Sequence, residues 1–123
     1  MLNTPFQPWP SFTQEEADAV SQVLLSNKVN YWTGTESREF EREFAQWADS
    51  KYAIAVGNGT LALDIALQVL DLQPEDEVIV TPRTFIASIS SVVNAGAKPV
   101  FADIDADSGN ISPKTIEAVI TDK

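Results

Sequence analysis

Apolar residues recur at two different spacings along this chain, and the change falls near residue 50. In the first part Ala17, Val20, Leu24 and Leu25 repeat at helical intervals. Ahead of them stands Thr13-Gln14-Glu15-Glu16, where Thr13 can serve as N-cap and Glu16 as its N3 partner. This predicts an amphipathic helix over residues 14–26. Asn27 to Thr35 has no period and predicts a loop. In ESREFEREFAQWADS the residues Phe40, Phe44, Trp47 and Ala48 make one stripe, with Glu39, Glu41, Arg42 and Glu43 mostly off it, so a second helix follows.

From Tyr52 the rhythm changes. Ala53-Ile54-Ala55-Val56, Val78-Ile79-Val80 and Pro99-Val100-Phe101-Ala102 are short apolar runs of the kind found in strands buried on both faces. Helical segments at Thr60–Leu70 and about Thr84–Asn94 separate them, the second closed by Ala95-Gly96. Ser112-Pro113 supplies an N-cap and an N1 proline for a last helix through Ile116, Val119 and Ile120, running into the end of the chain.

Strand, helix, strand, helix, strand predicts an α/β fold with parallel strands and crossover helices. Residues 1–50 would carry the two N-terminal helices and their loop, and residues 51–123 the first part of an α/β/α sandwich. Three parallel strands leave two edges open. The helix over 60–70 is apolar nearly all round, so it needs cover on more than one side. The expectation is the front part of a larger domain, or a chain living in an intimate oligomer.

Composition narrows the chemistry. The 123 residues are 44% hydrophobic and 21% charged, ordinary for a globular chain, and no apolar run approaches the length of a membrane span. Met1-Leu2-Asn3-Thr4-Pro5 has neither a basic nor an apolar signal region, which makes the cytoplasm the default compartment. Cysteine and histidine are both absent, which removes Ser-His and Cys-His couples and ordinary zinc or copper sites. A formal net charge of −10 argues against a nucleic-acid surface. Calcium is not expected at Asp103, Asp105 and Asp107, because Gly109 comes one residue late and Lys114 stands where an EF-hand needs glutamate. No metal is expected anywhere.

Ligands of open parallel sheets bind beyond the carboxyl ends of the strands. Those ends should carry Gly57-Asn58-Gly59-Thr60, Thr81-Pro82-Arg83-Thr84-Phe85 and Asp103-Ile104-Asp105, while Lys51 and Lys98 precede their strands and fall at the opposite edge. Gly57-Asn58-Gly59-Thr60-Leu61-Ala62 fits the dinucleotide pattern G-x-G-x-x-A. The ribose-binding acid that this pattern needs is missing, since Asp76 and Glu77 come before the second strand and Thr81-Pro82-Arg83 follow it. No lysine follows Gly59, so a Walker loop fails as well. A compact phosphate monoester remains, held by N–H groups near Thr60 and Leu61 and by the Thr60 hydroxyl, at a helix end worth about half a positive charge. The alternative is that Asn58 or Thr60 only caps the helix. Phe85 at the same edge could lie flat on a planar ring attached to that phosphate, or be a core phenylalanine. Together a phosphate cup and a neighbouring aromatic suggest pyridoxal 5′-phosphate.

The stretch VGNGTLALDIALQVL, followed by PEDEVIVTPRTFIASISSVVNAGAKPVFADIDADSGNISPKTIEAVI, resembles the nucleotide-sugar aminotransferases of the DegT type, pyridoxal-phosphate enzymes of fold type I. The resemblance covers nearly the whole chain and rests on seven or eight short features in one order. It implies that Gly59, Thr60 and Leu61 hold the cofactor phosphate and that Phe85 stacks on the pyridine ring. It also implies that Trp32-Thr33-Gly34 lies near the sugar substrate and the interface of a homodimer. The chain departs from the family at Gly34-Thr35, where Gly-Pro is frequent. Arg83 is a second departure, standing where a small or aromatic residue is common, and it is either a partner for a substrate phosphate or carboxylate or simply solvated.

Transamination requires a lysine that bonds the cofactor and an acid facing the pyridinium nitrogen. In the family both come after the region matched here. Lys28, Lys51, Lys98, Lys114 and Lys123 do not match that context, so no catalytic residue is expected in this chain and it should be inactive alone. The resemblance implies an enzyme passing an amine, usually from glutamate, to a keto group of a nucleotide-linked sugar in cell-surface polysaccharide or amino-sugar biosynthesis. Neither nucleic acid nor membrane is an expected partner. Two alternatives stand: a sugar dehydratase of the same family, with histidine in place of the lysine, and a non-catalytic interaction module.

Overall fold

A computed structural model describes residues 8–123; the expectation about Met1–Pro5 lies outside them. The chain forms two compact units, the first ending at Ala55 and the second beginning at Val56.

The first unit contains α1 (Gln14–Leu25) and α2 (Glu36–Trp47). Helix α1 starts with the expected capping box: Glu16 N–H donates to Thr13 Oγ1 at 3.3 Å and Thr13 N–H to Glu16 Oε2 at 2.6 Å. That contact holds the Glu16 carboxyl below its ordinary pKa. Helix α2 ends with Asp49 at φ 49°, and Ser50 N–H returns to Ala45 O at 2.9 Å, which satisfies a terminal carbonyl. Its stripe behaves as predicted, with Phe44 between Phe40 and Trp47 at ring-centroid distances of 5.7 and 5.4 Å.

In the second unit the order is α3 (Gly59–Gln68), β1 (Glu77–Val80), α4 (Ala87–Asn94), β2 (Lys98–Phe101) and α5 (Pro113–Glu117). Strands β1 and β2 are parallel, with Glu77 beside Lys98 and Val80 beside Phe101, and α4 is the crossover between them. Lys98 N–H donates to Asp76 O and Ala102 N–H to Val80 O, each at 2.9 Å. Alternation then turns position 99 away from β1, so the missing N–H of Pro99 costs no ladder bond. Ala87, Val92, Ala97 and Ala102 are the buried apolar residues of this unit. Helix α4 ends as Ala95-Gly96 predicts: Gly96 has φ 87°, its N–H reaches Val93 O at 3.0 Å, and Ala97 N–H reaches Val92 O at 3.2 Å.

Three expectations need correction. Ala53–Val56 forms no strand among the described residues. A strand buried on both faces needs neighbours on both edges, whereas here Ile54 is 80% exposed and the Ala55 N–H is taken by a side chain, Glu41 Oε1 at 2.8 Å. The helix expected from about Thr84 begins at Ala87. Thr81, preceding Pro82, is biased away from helical dihedrals, and Arg83 N–H turns back to Thr81 Oγ1 at 3.3 Å, so the chain bends before it can coil. The last helix stops at Glu117 although Ser112 and Thr115 form its capping box as the N-cap signal predicts. Helix α3 packs against α4, and none of its residues is buried.

Candidate functional site

Helix α3 starts directly after the glycine turn, with Asn58 extended at φ −169° as N-cap. The Asn58 Oδ1 accepts the Leu61 N–H at 2.9 Å, and Asn58 O accepts the Ala62 N–H at 3.2 Å. Of the two capping candidates in the sequence, Asn58 is therefore the cap. The Leu61 N–H, expected to face a ligand, is held by it. Among the described residues the Gly59 and Thr60 N–H groups and the Thr60 hydroxyl have no hydrogen-bond partner. A helix end of this kind leaves oriented donors where positive charge accumulates.

The glycines bear on what this end can hold. Neither Gly57 nor Gly59 has a positive φ, and a Cβ on either would meet nothing within 4 Å. Backbone strain and packing do not call for glycine here. Both positions have room for a Cβ, and partnerless amides at a helix start suit a small dianion such as a phosphate monoester.

Phe85 lies in the turn two residues ahead of α4 and is 67% exposed. Its ring is open to a planar partner. The turns that follow β1 and β2 are tied more closely than the sequence suggested. Asp105 Oδ1 accepts the Asp107 and Ser108 N–H groups, both at 3.0 Å, and these bonds hold its carboxyl below the usual range. Gly109 sits in this turn at φ +66°, and a Cβ there would stand 3.1 Å from Arg83 Nη1. Lys98 pairs with Glu75 at 2.7 Å at the start of β2, the edge away from these turns, as expected.

Trp32, Thr33 and Gly34 belong to the first unit, in a loop organised by a residue the sequence reading passed over. Asn30 Oδ1 accepts from the Trp32 N–H and the Thr33 N–H at 3.0 Å each and from Thr33 Oγ1 at 3.2 Å. An asparagine two residues ahead of the N–H groups it binds is an Asx-turn, a signal available in the sequence. Gly34 N–H donates to Asn30 O at 2.7 Å, and a Cβ on Gly34 would collide with Lys28 O and Asn30 O, so only glycine fits. Thr33 and Gly34 line a depression of about 220 Å³ with Val23, Ser26, Lys28 and Thr35, while Trp32 is exposed. Glu41 was also missed. Its Oε2 accepts from the Tyr31 hydroxyl at 3.0 Å, which pushes the phenol pKa up. Nothing in the sequence marks that long-range partner.

These units resemble parts of larger proteins. GDP-perosamine synthase of Escherichia coli O157:H7 is 39% identical over 118 residues, 93% of this chain and 31% of that protein. The structure of an aminotransferase from Psychrobacter cryohalolentis superposes with a TM-score of 0.88 at 76% identity, covering 97% of this chain and 30% of that one. NtdA from Bacillus subtilis, solved with bound cofactor PMP, matches with a TM-score of 0.75 at 32% identity, over 89% of this chain and 26% of that one. The chain thus spans less than a third of the length of these relatives. Its α/β architecture is that of fold type I transferases dependent on pyridoxal phosphate. A family model matches residues 10–123, and the chain belongs to the DegT/DnrJ/EryC1/StrS aminotransferase family.

Proposed function

We propose that the protein containing this chain is a pyridoxal-phosphate-dependent aminotransferase. It moves an amino group, with glutamate as donor, to a keto group of a nucleotide-linked sugar, for amino-sugar or cell-surface polysaccharide assembly. The single observation that carries the site assignment is the start of α3. There the Gly59 and Thr60 N–H groups have no partner among the described residues, and a Cβ on Gly59 would meet nothing within 4 Å.

In this reading Gly59 and Thr60 form the phosphate cup, and Leu61 follows them with its N–H held by Asn58. Gly59 and Thr60 contribute main-chain donors, Thr60 adds its hydroxyl, and Asn58 orders the turn by capping Leu61. The exposed Phe85 ring supports one face of the cofactor and keeps water from it. Trp32, Thr33 and Gly34 form the substrate-side loop, its backbone fixed by Asn30. When bound, the cofactor supplies a carbonyl that takes up the donor's amine and an electron-withdrawing ring. The lysine that moves protons is assigned to a part of the protein beyond these residues, so this segment binds and orients without turning over. The exposed apolar faces of α1, α2 and α3, with Leu25, Trp47 and Ile65 among them, support burial in the whole enzyme and in a homodimer.

The test is spectroscopic. Purified full-length protein should retain pyridoxal phosphate, change its absorbance on addition of glutamate, and convert a keto-sugar nucleotide to the amine by mass. Loss of water from the sugar without gain of an amine would replace this reading with the dehydratase. Failure to bind the cofactor would overturn both.

A further inference from the structure

We propose that Arg83 is a specificity-determining residue that pairs with an oxyanion of the substrate, a carboxylate or a phosphate, beyond the carboxyl end of β1. The inference rests on the aminotransferase reading and adds to it the group that recognises substrate charge.

Arg83 follows Val80, the last residue of β1, by three positions, and precedes the exposed Phe85 by two. Its guanidinium lies against the turn after β2, beside Gly109. Gly109 has φ +66°, and a Cβ there would come within 3.1 Å of Nη1 and 3.7 Å of Cζ. The exposed side chain thus runs close to the Gly109 backbone. Three carboxylates belong to that same segment, Asp103, Asp105 and Asp107, yet Arg83 forms no ion pair among the described residues. Two of them are committed to their own backbone: Asp105 Oδ1 to the Asp107 and Ser108 N–H groups, and Asp103 Oδ1 to the Ile104 N–H at 2.8 Å. The guanidinium donates no hydrogen bond among the described residues, and the only bond of Arg83 is from its main-chain N–H to Thr81 Oγ1.

Among the described residues Arg38 also forms no ion pair, but its guanidinium donates to Gly34 O at 2.6 Å, whereas that of Arg83 has no such partner. Lys98, at the start of β2, is paired with Glu75 at the opposite edge. Five N–H donors in a rigid fork match a planar carboxylate or two phosphate oxygens, and Arg83 presents that fork where open α/β sheets take their ligands. Two substrate groups have this chemistry: the carboxylate of the amino donor and the diphosphate of the nucleotide.

The experiment uses the full-length holoenzyme with Arg83→Ala, Arg83→Gln and Arg83→Lys. Each half-reaction is followed separately by cofactor absorbance, with glutamate and with a keto-sugar nucleotide. Calorimetry with 2-oxoglutarate, GDP, UDP and dTDP provides a readout that needs no turnover. Arg83→Ala should raise KM about 10- to 100-fold in one half-reaction, the scale of a lost charge-assisted hydrogen bond. Its kcat, cofactor affinity and Tm should be unchanged, and Arg83→Lys should recover only part. A rise confined to glutamate and 2-oxoglutarate identifies the carboxylate; a rise confined to the nucleotides identifies the phosphate. Unchanged KM and ligand Kd values overturn the proposal. So does a fall in Tm or cofactor affinity that accounts for the whole effect, which would make Arg83 a clamp on the 105–110 turn. A wild-type enzyme that binds these anions without transaminating would sink the aminotransferase reading and leave the calorimetric comparison decisive for Arg83.

Discussion

Glu41 Oε1 holds the Ala55 N–H at 2.8 Å, 14 residues further along the chain, while its Oε2 takes the Tyr31 hydroxyl at 3.0 Å. One carboxylate thus ties the loop before α2 to the extended segment after it. Charge-assisted hydrogen bonds to a partly buried amide contribute more than neutral ones. Glu41→Ala should therefore lower the stability of the full-length protein by about 1 kcal/mol in denaturant titration, with Glu41→Gln losing less. The raised Tyr31 pKa gives a second readout. A phenol held protonated adds stability that is complete below its unfolded value of about 10 and is lost as pH rises through the folded value. That alkaline limb should be reduced in Glu41→Ala. Identical alkaline unfolding in the two proteins would show that the contact contributes nothing.

Two glycines should respond in opposite ways to the same substitution. A Cβ on Gly34 collides with main-chain oxygens of Lys28 and Asn30. Gly34→Ala should cost about 1–3 kcal/mol and disorder the loop carrying Trp32 and Thr33. Gly59 has open space and no positive φ, so Gly59→Ala should fold with an unchanged apo-protein Tm and still bind pyridoxal phosphate more weakly. An equal loss of Tm in both would mean that Gly59 serves the fold, and an unchanged cofactor Kd would remove it from the phosphate cup.

The contrast between these glycines shows what was legible in the sequence. Local signals held where the physics is local: the Thr13–Glu16 box, the Phe40-Phe44-Trp47 stripe, the Ala95-Gly96 stop and the Ser112 cap all formed. Ala53–Val56 is as apolar as β2, yet a strand is defined by its neighbours, and no strand pairs with it among the described residues. Composition leaves Phe85 as either core or platform, and in this chain it is exposed, as are Trp47 and Val69. The Glu41–Ala55 and Arg83–Gly109 approaches join residues far apart in sequence, where periodicity carries no information.

Acid should loosen the turn after β2. The Asp105 carboxyl is held below its ordinary pKa by hydrogen bonds from the Ser108 and Asp107 N–H groups. Its folded pKa lies under the unfolded value of about 3.9, so its contribution is present above that value and fades as pH falls through the folded one. Asp105→Asn keeps an acceptor for both amides and removes the titration. The variant should show a shallower loss of stability below about pH 4, followed by thermal melts of the full-length protein across that range. Parallel curves for the two proteins would assign acid sensitivity elsewhere, with Glu16 as a candidate because its carboxyl is lowered by Thr13.

Asn58 separates capping from anion binding, the two roles that meet at the start of α3. Its Oδ1 satisfies the Leu61 N–H, leaving the Gly59 and Thr60 donors without a partner among the described residues. Asn58→Ala removes the cap and should cost about 1 kcal/mol, and cofactor affinity should fall with it because the turn loses its anchor. Asn58→Asp is the sharper variant. Aspartate caps a helix as well as asparagine does, so Tm should hold or rise slightly through the helix dipole. A second negative charge beside the free amides would, however, repel a phosphate dianion across a few ångströms, an interaction of about 1 kcal/mol even at the dielectric of water and larger when partly shielded. The expected result is a protein as stable as the parent with cofactor Kd raised roughly 10-fold, the gap narrowing as salt is added. Cofactor affinity that follows Tm in both variants would mean that Asn58 acts through the fold alone and that the anion sits elsewhere.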